Sequence, residues 1–226
     1  TYFDEFLAKG KDLPYDDIVE QRTSKASASD LANILYTSGT TGEPKGVMLH
    51  HSNYLEALRV HDLRLVDMSE EDVSMNFLPL THVFERGWVY VCLNRGVQVC
   101  VNLVPQDIQK TLKEIRPTLM CSVPRFWEKV YLGVKEKIEN THGPMKQLML
   151  NAVKVGREHN LNYIRLGKKP PRMLHLKYKF YEKTVMQLLK KTVGIENGNF
   201  FPAAGAALPV EVAEFVYSVG INVITG

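Results

Sequence analysis

Between Thr37 and Lys45 the chain gathers four hydroxyls (Thr37, Ser38, Thr40, Thr41), two glycines (Gly39, Gly42) and an ammonium within nine residues. Glycines accept positive φ and allow close approach of the backbone, and successive N–H groups of such a loop form a nest for anions. Lys45 adds a mobile point charge suited to phosphate oxygens, and Pro44 stiffens the loop just before it. The chemistry these residue types point to is retention of a polyphosphate. It is not a Walker loop, because the lysine stands three residues after Gly42 and is followed by Gly46 instead of Ser or Thr. It is not a dinucleotide fingerprint either, since no Gly-x-Gly-x-x-Gly precedes a helix.

Other residues that could do chemistry are fewer. His82 stands in an apolar stretch, where a histidine is ordinarily a satisfied core residue. His50 and His51 are paired but have no third ligand at metal-binding spacing, and read as strand-end and turn residues. Residues 203–209 form a run of minimal side chains between a strand and a helix. Gly205, Ala206 and Ala207 either let a flat ligand approach the backbone or serve tight strand–helix packing.

These residues need a scaffold. The apolar run Leu31 to Tyr36, the loop and the apolar run from Val47 read as strand, loop and strand. Residues 2–9 form a short amphipathic segment and 12–29 a polar linker. Ser52 is placed to cap a helix over 53–66, and Thr81 one that runs through Phe84 and Trp88 to Asn94. Strands are expected at 72–78, 96–101, 117–123, 199–202 and 221–225. Helices are expected at 106–116 after Pro105, 125–140 after Pro124, and 210–218, closed by Gly220. Strands alternating with helices of this length indicate crossover units and a mostly parallel sheet. Between 143 and 192 the pattern is helical, over 145–159 and 171–191, and strongly basic: Arg165, Lys168, Lys169, Arg172, Lys177, Lys179, Lys183, Lys190 and Lys191 face only Glu182. A solvated face, an anionic-membrane contact helped by Tyr163, Tyr178, Phe180 and Tyr181, and a nucleic-acid patch compete there. No nucleic-acid motif supports the third.

The 226 residues are enough for one large α/β domain. A net charge of +3 is too small to argue for nucleic acid. Cys92, Cys100 and Cys121 lie in apolar contexts without ligand spacing and read as buried free thiols of a reducing compartment. The chain opens at Thr1 without an initiator Met and closes at Gly226 within an expected strand, which suggests a piece excised from a longer protein.

The string Tyr36-Thr-Ser-Gly-Thr-Thr-Gly-Glu-Pro-Lys-Gly46 resembles the phosphate loop of the adenylate-forming superfamily, which comprises acyl- and aryl-CoA synthetases, peptide-synthetase adenylation domains and beetle luciferases. Leu78-Pro-Leu-Thr-His-Val-Phe-Glu-Arg86 resembles its aromatic-containing motif, with the Phe-Glu-Arg ending of the long-chain acyl-CoA synthetase branch. Ser122-Val-Pro-Arg-Phe-Trp-Glu-Lys-Val-Tyr131 and the helical insertion after it are similar to the same branch. Ala204-Gly-Ala-Ala-Leu-Pro209 resembles the small-residue motif along the adenine and acyl group, with Ala204 where members usually carry glycine.

The resemblance implies an α/β fold of mostly parallel sheets flanked by helices: an internal fragment of the large N-terminal domain of an adenylate-forming enzyme. On that division, 1–30 is an approach segment and 31–226 a partial ATP- and acyl-binding domain. The latter has a core at 31–140, an insertion at 141–196 and a return to sheet at 197–226, without the C-terminal domain that bears the catalytic lysine. The resemblance also implies that the parent converts a long-chain fatty acid with Mg²⁺-ATP to acyl-AMP and then, with coenzyme A, to acyl-CoA. The loop N–H groups of Gly39, Thr40, Thr41 and Gly42, with Ser38 and Lys45, would hold the β- and γ-phosphates. Thr37 would touch Mg²⁺, and Gly205, Ala206 and Ala207 would lie along the nucleotide. His82 would orient the acyl carboxylate. A general base is not required, because a carboxylate is already ionised at neutral pH. Glu85 and Arg86 would either pair with each other or line the acyl tunnel, and Trp88 and Phe126 are core or tunnel lining. A cytoplasmic protein is expected, with peripheral membrane contact as one reading of the basic insertion. The alternatives are a ligase of another acid (aryl, amino acid or carrier-bound) and a non-catalytic nucleotide- or membrane-binding module.

Overall fold

Two short helices and an antiparallel strand pair come first in the chain, and a parallel array with helices follows. A computed structural model describes residues 2–11, 16–37 and 42–225. Its contacts divide the chain into two compact units, residues 1–60 and 61–226.

In the first unit, helices α1 (Phe3–Ala8) and α2 (Asp16–Lys25) bury no residue. The polar stretch expected to be a linker therefore contains a helix. Asp16 and Asp17 in its first turn and Arg22 and Lys25 in its last complement the helix dipole. Strands β1 (Leu31–Thr37) and β2 (Lys45–His50) pair antiparallel, Thr37 opposite Lys45 and Tyr36 opposite Gly46. A Cβ on Gly46 would come 2.9 Å from Ile34 Cγ2 and 3.3 Å from the Tyr36 ring, so only glycine lets these side chains lie across the partner strand. Helix α3 (His51–Arg64) begins one residue before the expected cap. Its orphan N–H groups are met by backbone instead: His51 N–H donates to Asp30 O at 3.1 Å and Ser52 N–H to Ala28 O at 2.7 Å. His50 ends β2, as expected, whereas His51, expected in a turn, is the first residue of α3.

In the second unit, β3 (Val73–Asn76) pairs parallel with β4 (Gln98–Val101), and β5 (Phe201–Ala203) parallel with β6 (Val223–Thr225). Residues 118–122, expected as a full strand, make only single parallel bridges: Leu119 to Ser74 and to Phe200, and Ser122 to Ala203. Pro202 has no N–H to give to a ladder, which keeps the pairing discontinuous. The bridges nonetheless join the two pairs in the order β4–β3–(118–122)–β5–β6. The mixed α/β class is as expected, with the β1–β2 pair as its antiparallel exception.

Helices cover the array: α4 (Val83–Asn94), α5 (Ile108–Ile115), α6 (Pro124–Glu139), α7 (Gly143–Asn162), α8 (Arg172–Tyr181), α9 (Gln187–Val193) and α10 (Val210–Ser218). Pro124 opens α6 at its first turn, and α5 is preceded by a 3-10 turn at Pro105–Asp107. The basic helix expected over 171–191 is α8 and α9 joined by a π-helical turn at Glu182–Met186. The core centres on Trp127, which is fully buried among Met75, Met120, Phe201 and Met186. Its indole N–H donates to Ser122 Oγ at 2.8 Å, and Ser122 Oγ–H to Pro202 O at 2.9 Å. Helices α7 and α8 are held together by His159, whose Nε2 lies 3.0 Å from His175 Nδ1 and whose ring stacks on Tyr178 at 4.0 Å.

Candidate functional site

The antiparallel register places Thr37 and Lys45 at the two bases of the glycine- and hydroxyl-rich loop. Thr37 Oγ1–H donates to the Lys45 carbonyl at 3.4 Å, a long bond that turns the hydroxyl's lone pairs away from that strand. Lys45 is exposed at the head of β2, and its ammonium has no partner among the described residues. Gly42 takes φ +90°, a conformation that disfavours any other residue. Ser38, Gly39, Thr40 and Thr41 lie outside the described residues. The pair that brackets the loop is thus a cation and a neutral oxygen, a donor set that fits a phosphate with its divalent counter-ion. Among the described residues no group of three His, Cys, Asp or Glu side chains could hold a metal by itself.

In the second unit the parallel array sends its connections out from one edge. The segment 77–82 leaves the carboxyl end of β3, and 204–209 leaves that of β5. In parallel sheets that edge is where ligands sit. His82, not Thr81, caps α4: its Nδ1 accepts the Phe84 N–H at 3.3 Å. With Nδ1 an acceptor, the neutral ring carries its proton on Nε2, which makes the exposed nitrogen a donor. Gly205, Ala206 and Ala207 are exposed, and a Cβ on Gly205 would meet nothing within 4 Å. Tight helix packing is therefore not what keeps these residues small. Gly205 adopts φ +95°, which accounts for the glycine.

Arg86 and Glu85 do not form the local ion pair considered above. Arg86 Nε–H donates to Leu80 O at 2.9 Å, while Glu85 is buried at 1% exposure. Neither Glu85 oxygen, nor the Asn76 amide nitrogen beside it, has a partner in good hydrogen-bond geometry. Burial pushes the Glu85 carboxyl up to about 7, opposed by the Leu78 N–H, the Asn76 side chain and the Phe77 N–H. Trp88 is core: its indole N–H donates to Ser74 Oγ at 2.9 Å, and its ring meets Phe200 edge-on. Phe126 packs on Phe77 and Trp127 and lines a cavity of about 250 Å³ between α5, α6 and α9. Cys92 and Cys121 are buried free thiols, and Cys100 is partly exposed.

The Glu85 carboxyl has a consequence for stability. A folded-state value near 7 against an ordinary 4.5 means that the native protein holds the extra proton between those pH values. Stability therefore falls as pH rises through that window, and the full cost of the buried charge is present above it. Glu85→Gln should remove this slope. Its stability relative to wild type should rise by roughly 3 kcal/mol from pH 5 to pH 8, as read by denaturant titration. Equal differences at both pH values would contradict the assignment.

The profile of the AMP-binding enzyme family matches residues 3–226. The chain is 31% identical over 228 residues to a human protein named long-chain-fatty-acid–CoA ligase ACSBG2, covering 98% of this chain and 33% of that protein. It is 31% identical over 192 residues to fatty acyl-CoA synthetase A of Dictyostelium discoideum, covering 84% of this chain and 27% of that protein. Among solved structures, the adenylation domain of a Mycobacterium chelonae carboxylate reductase superposes with a TM-score of 0.63 at 19% identity. That superposition spans 88% of this chain and 27% of the other. The didomain of a Segniliparus rugosus carboxylic acid reductase, solved with AMP, superposes with a TM-score of 0.60 at 20% identity, spanning 89% of this chain and 24% of the other. The chain thus spans about a third of the length of the curated relatives it matches.

Proposed function

Because the chain belongs to the AMP-binding enzyme family, we propose that it is the central part of a long-chain fatty-acid–CoA ligase. The parent would form acyl-AMP from fatty acid and Mg²⁺-ATP, and then acyl-CoA. The observation that carries this reading is the hairpin register that sets Lys45 and Thr37 at the base of the glycine- and threonine-rich loop. The names of the relatives support the acid class.

Both reactants are anions, so the protein must screen charge and align them. Lys45, Ser38 and the N–H groups of Gly39, Thr40, Thr41 and Gly42 hold the β- and γ-phosphates. Thr37 Oγ would offer one neutral oxygen to Mg²⁺, which when bound would neutralise phosphate charge. His82, with its proton on Nε2, donates to an oxygen of the fatty-acid carboxylate and holds it for attack on the α-phosphorus. Gly205, Ala206 and Ala207 leave a flat approach for the nucleotide.

ATP–pyrophosphate exchange by the full-length parent, assayed across a panel of acids, tests the reading. Exchange that depends on long-chain fatty acids is expected, and strict preference for aromatic acids or amino acids overturns it. The 226 residues alone should make no palmitoyl-CoA, because the lysine-bearing domain implied by the resemblance is not among them. Detecting that product would refute this part.

A second reading concerns location: a cytoplasmic protein that touches a membrane surface. Exposed Ile164, Leu166, Met173, Leu176 and Phe180 stand among the cations of the α7–α8 region. Lys179 is paired with Glu182, and Lys190 donates to the Gly220 carbonyl. Among the described residues no helix is long and apolar enough to cross a membrane. Sedimentation with phosphatidylserine vesicles tests the contact, and no binding at low salt removes it.

A further inference from the structure

The cavity of about 250 Å³ between α5, α6 and α9 is not used by the proposed chemistry. Successive residues of β3 point to opposite faces of the array. Ser74 Oγ accepts the Trp88 indole N–H at 2.9 Å, which sets α4 on one face. Met75 packs in the core with Leu112 and Trp127, which sets α5 and α6 on the other. The cavity therefore lies across the sheet from α4, whose N-terminus carries His82. Phe126, against Phe77 at 5.7 Å, closes the end nearest residues 77–82.

Close-packed interiors leave few voids larger than a water, and here two glycines account for one. Gly194, at the end of α9, has φ +91°, and a Cβ there would come 2.6 Å from the Leu112 carbonyl carbon and 2.7 Å from Lys113 N. The end of α9 thus abuts the α5 backbone directly. On α6 the opposite holds: Gly133 lines the cavity, and a Cβ there would meet nothing within 4 Å. Residues 126, 130, 133 and 134 share one face of that helix by their spacing, so the missing side chain leaves the face hollow. Leu112, Val130 and Val134 are buried apolar walls. Lys113 and Lys129 line the cavity too, but they are exposed, which puts them at its mouth. Neither is in an ion pair among the described residues, and none of the described lining residues is acidic. At ~30 Å³ per water-sized group, the space holds about eight such groups. A short apolar chain with one anionic head matches both parts, since the tail meets apolar walls and the head meets two ammonium groups.

We propose that this cavity binds a medium-chain carboxylate of about eight to ten carbons, its head between Lys113 and Lys129 and its tail against Leu112, Val130 and Val134. The site is separate from the one assigned to the acyl substrate and does not depend on the reading of the reaction.

The test uses the full-length parent and a decanoate that bears a photoreactive diazirine at its methyl end, with labelled positions read by peptide mass spectrometry. Label is expected on residues 108–113 and 126–134. It should persist in His82→Ala and vanish in Gly133→Leu, whose side chain fills the hollow. Lys113→Gln combined with Lys129→Gln leaves the walls intact and should weaken binding about tenfold, which decides the matter even where Gly133→Leu fails to fold. Unlabelled hexanoate, octanoate and decanoate should displace the probe about fourfold better for each added methylene, and palmitate should gain nothing over decanoate. Label confined to residues 77–88 or 204–209 overturns the proposal, as does label that survives in a folded Gly133→Leu or is undiminished in the double lysine variant. A gain that continues to palmitate, or decanol or decyltrimethylammonium competing as well as decanoate, overturns it too. So does a complete lack of label, the result if another part of the parent fills the cavity. Label on 126–134 in a parent without exchange activity upholds this site and removes the proposed reaction instead.

Discussion

Lys45→Ala should lower the rate of ATP–pyrophosphate exchange by the intact enzyme about 10²–10³-fold, the loss typical of removing one preorganised charge-stabilising donor. The expectation follows from position. Lys45 pairs in register with Thr37 at the mouth of the loop, and its ammonium has no partner among the described residues. Its charge therefore does nothing for the fold that the structure shows. Thermal stability should stay within the ±0.5 kcal/mol typical of surface substitutions, which separates a functional loss from an unfolded protein. Lys45→Arg should recover only part of the rate, because a planar fork replaces a compact point charge. Exchange within threefold of wild type for Lys45→Ala would remove the loop from the chemistry.

Gly156→Ala should cost about 4 kcal/mol, more than the usual penalty for an added methyl group in a packed core. A Cβ at Gly156 would lie 1.8 Å from the Ser218 carbonyl oxygen and 2.7 Å from Met186 Cε. A methionine end can move, but a backbone carbonyl at the end of α10 moves only with its helix. That helix is pinned to α7 within about one turn of the contact. Arg157 pairs with Glu214 at 2.5 Å, and Asn160 Nδ2–H donates to Tyr217 O at 2.7 Å. Gly133→Ala is the matched control. It lies in α6, and its Cβ would meet nothing within 4 Å, so replacement should stabilise by about 0.5–1 kcal/mol. Urea titrations of the two variants should move in opposite directions. A loss under 1 kcal/mol for Gly156→Ala would mean that α7 and α10 can separate more easily than their pins suggest.

Local chemistry was readable wherever a residue type dictates a conformation. Glycines, hydroxyls and a lysine between two apolar runs announced the β1–loop–β2 unit. Pro124 announced the start of α6, and Gly220, at φ +70°, the end of α10. The helix at 16–25 was also legible in principle. Its acidic first turn and basic last turn match the dipole, although its low apolar content made it look like a linker. The motifs that carry the proposed chemistry are of the same local kind, since a phosphate loop needs its residues in one short stretch.

What depended on distant partners was invisible along the chain. A glutamate three residues past a cap reads as a solvated, dipole-favoured charge, and only packing under β3 and against the 118–122 segment makes Glu85 a buried one. Thr81 is the cap that residue type predicts, and backbone geometry gave the position to His82 instead. Gly156 looked like any helical glycine until α10 arrived across from it. Amino-acid order thus settles which conformations are cheap and which side chains can meet a phosphate. Burial of a charge, the joining of β4–β3 to β5–β6 through 118–122, and the closeness of two helices are properties of pairs far apart in the chain, and folding alone brings those pairs together.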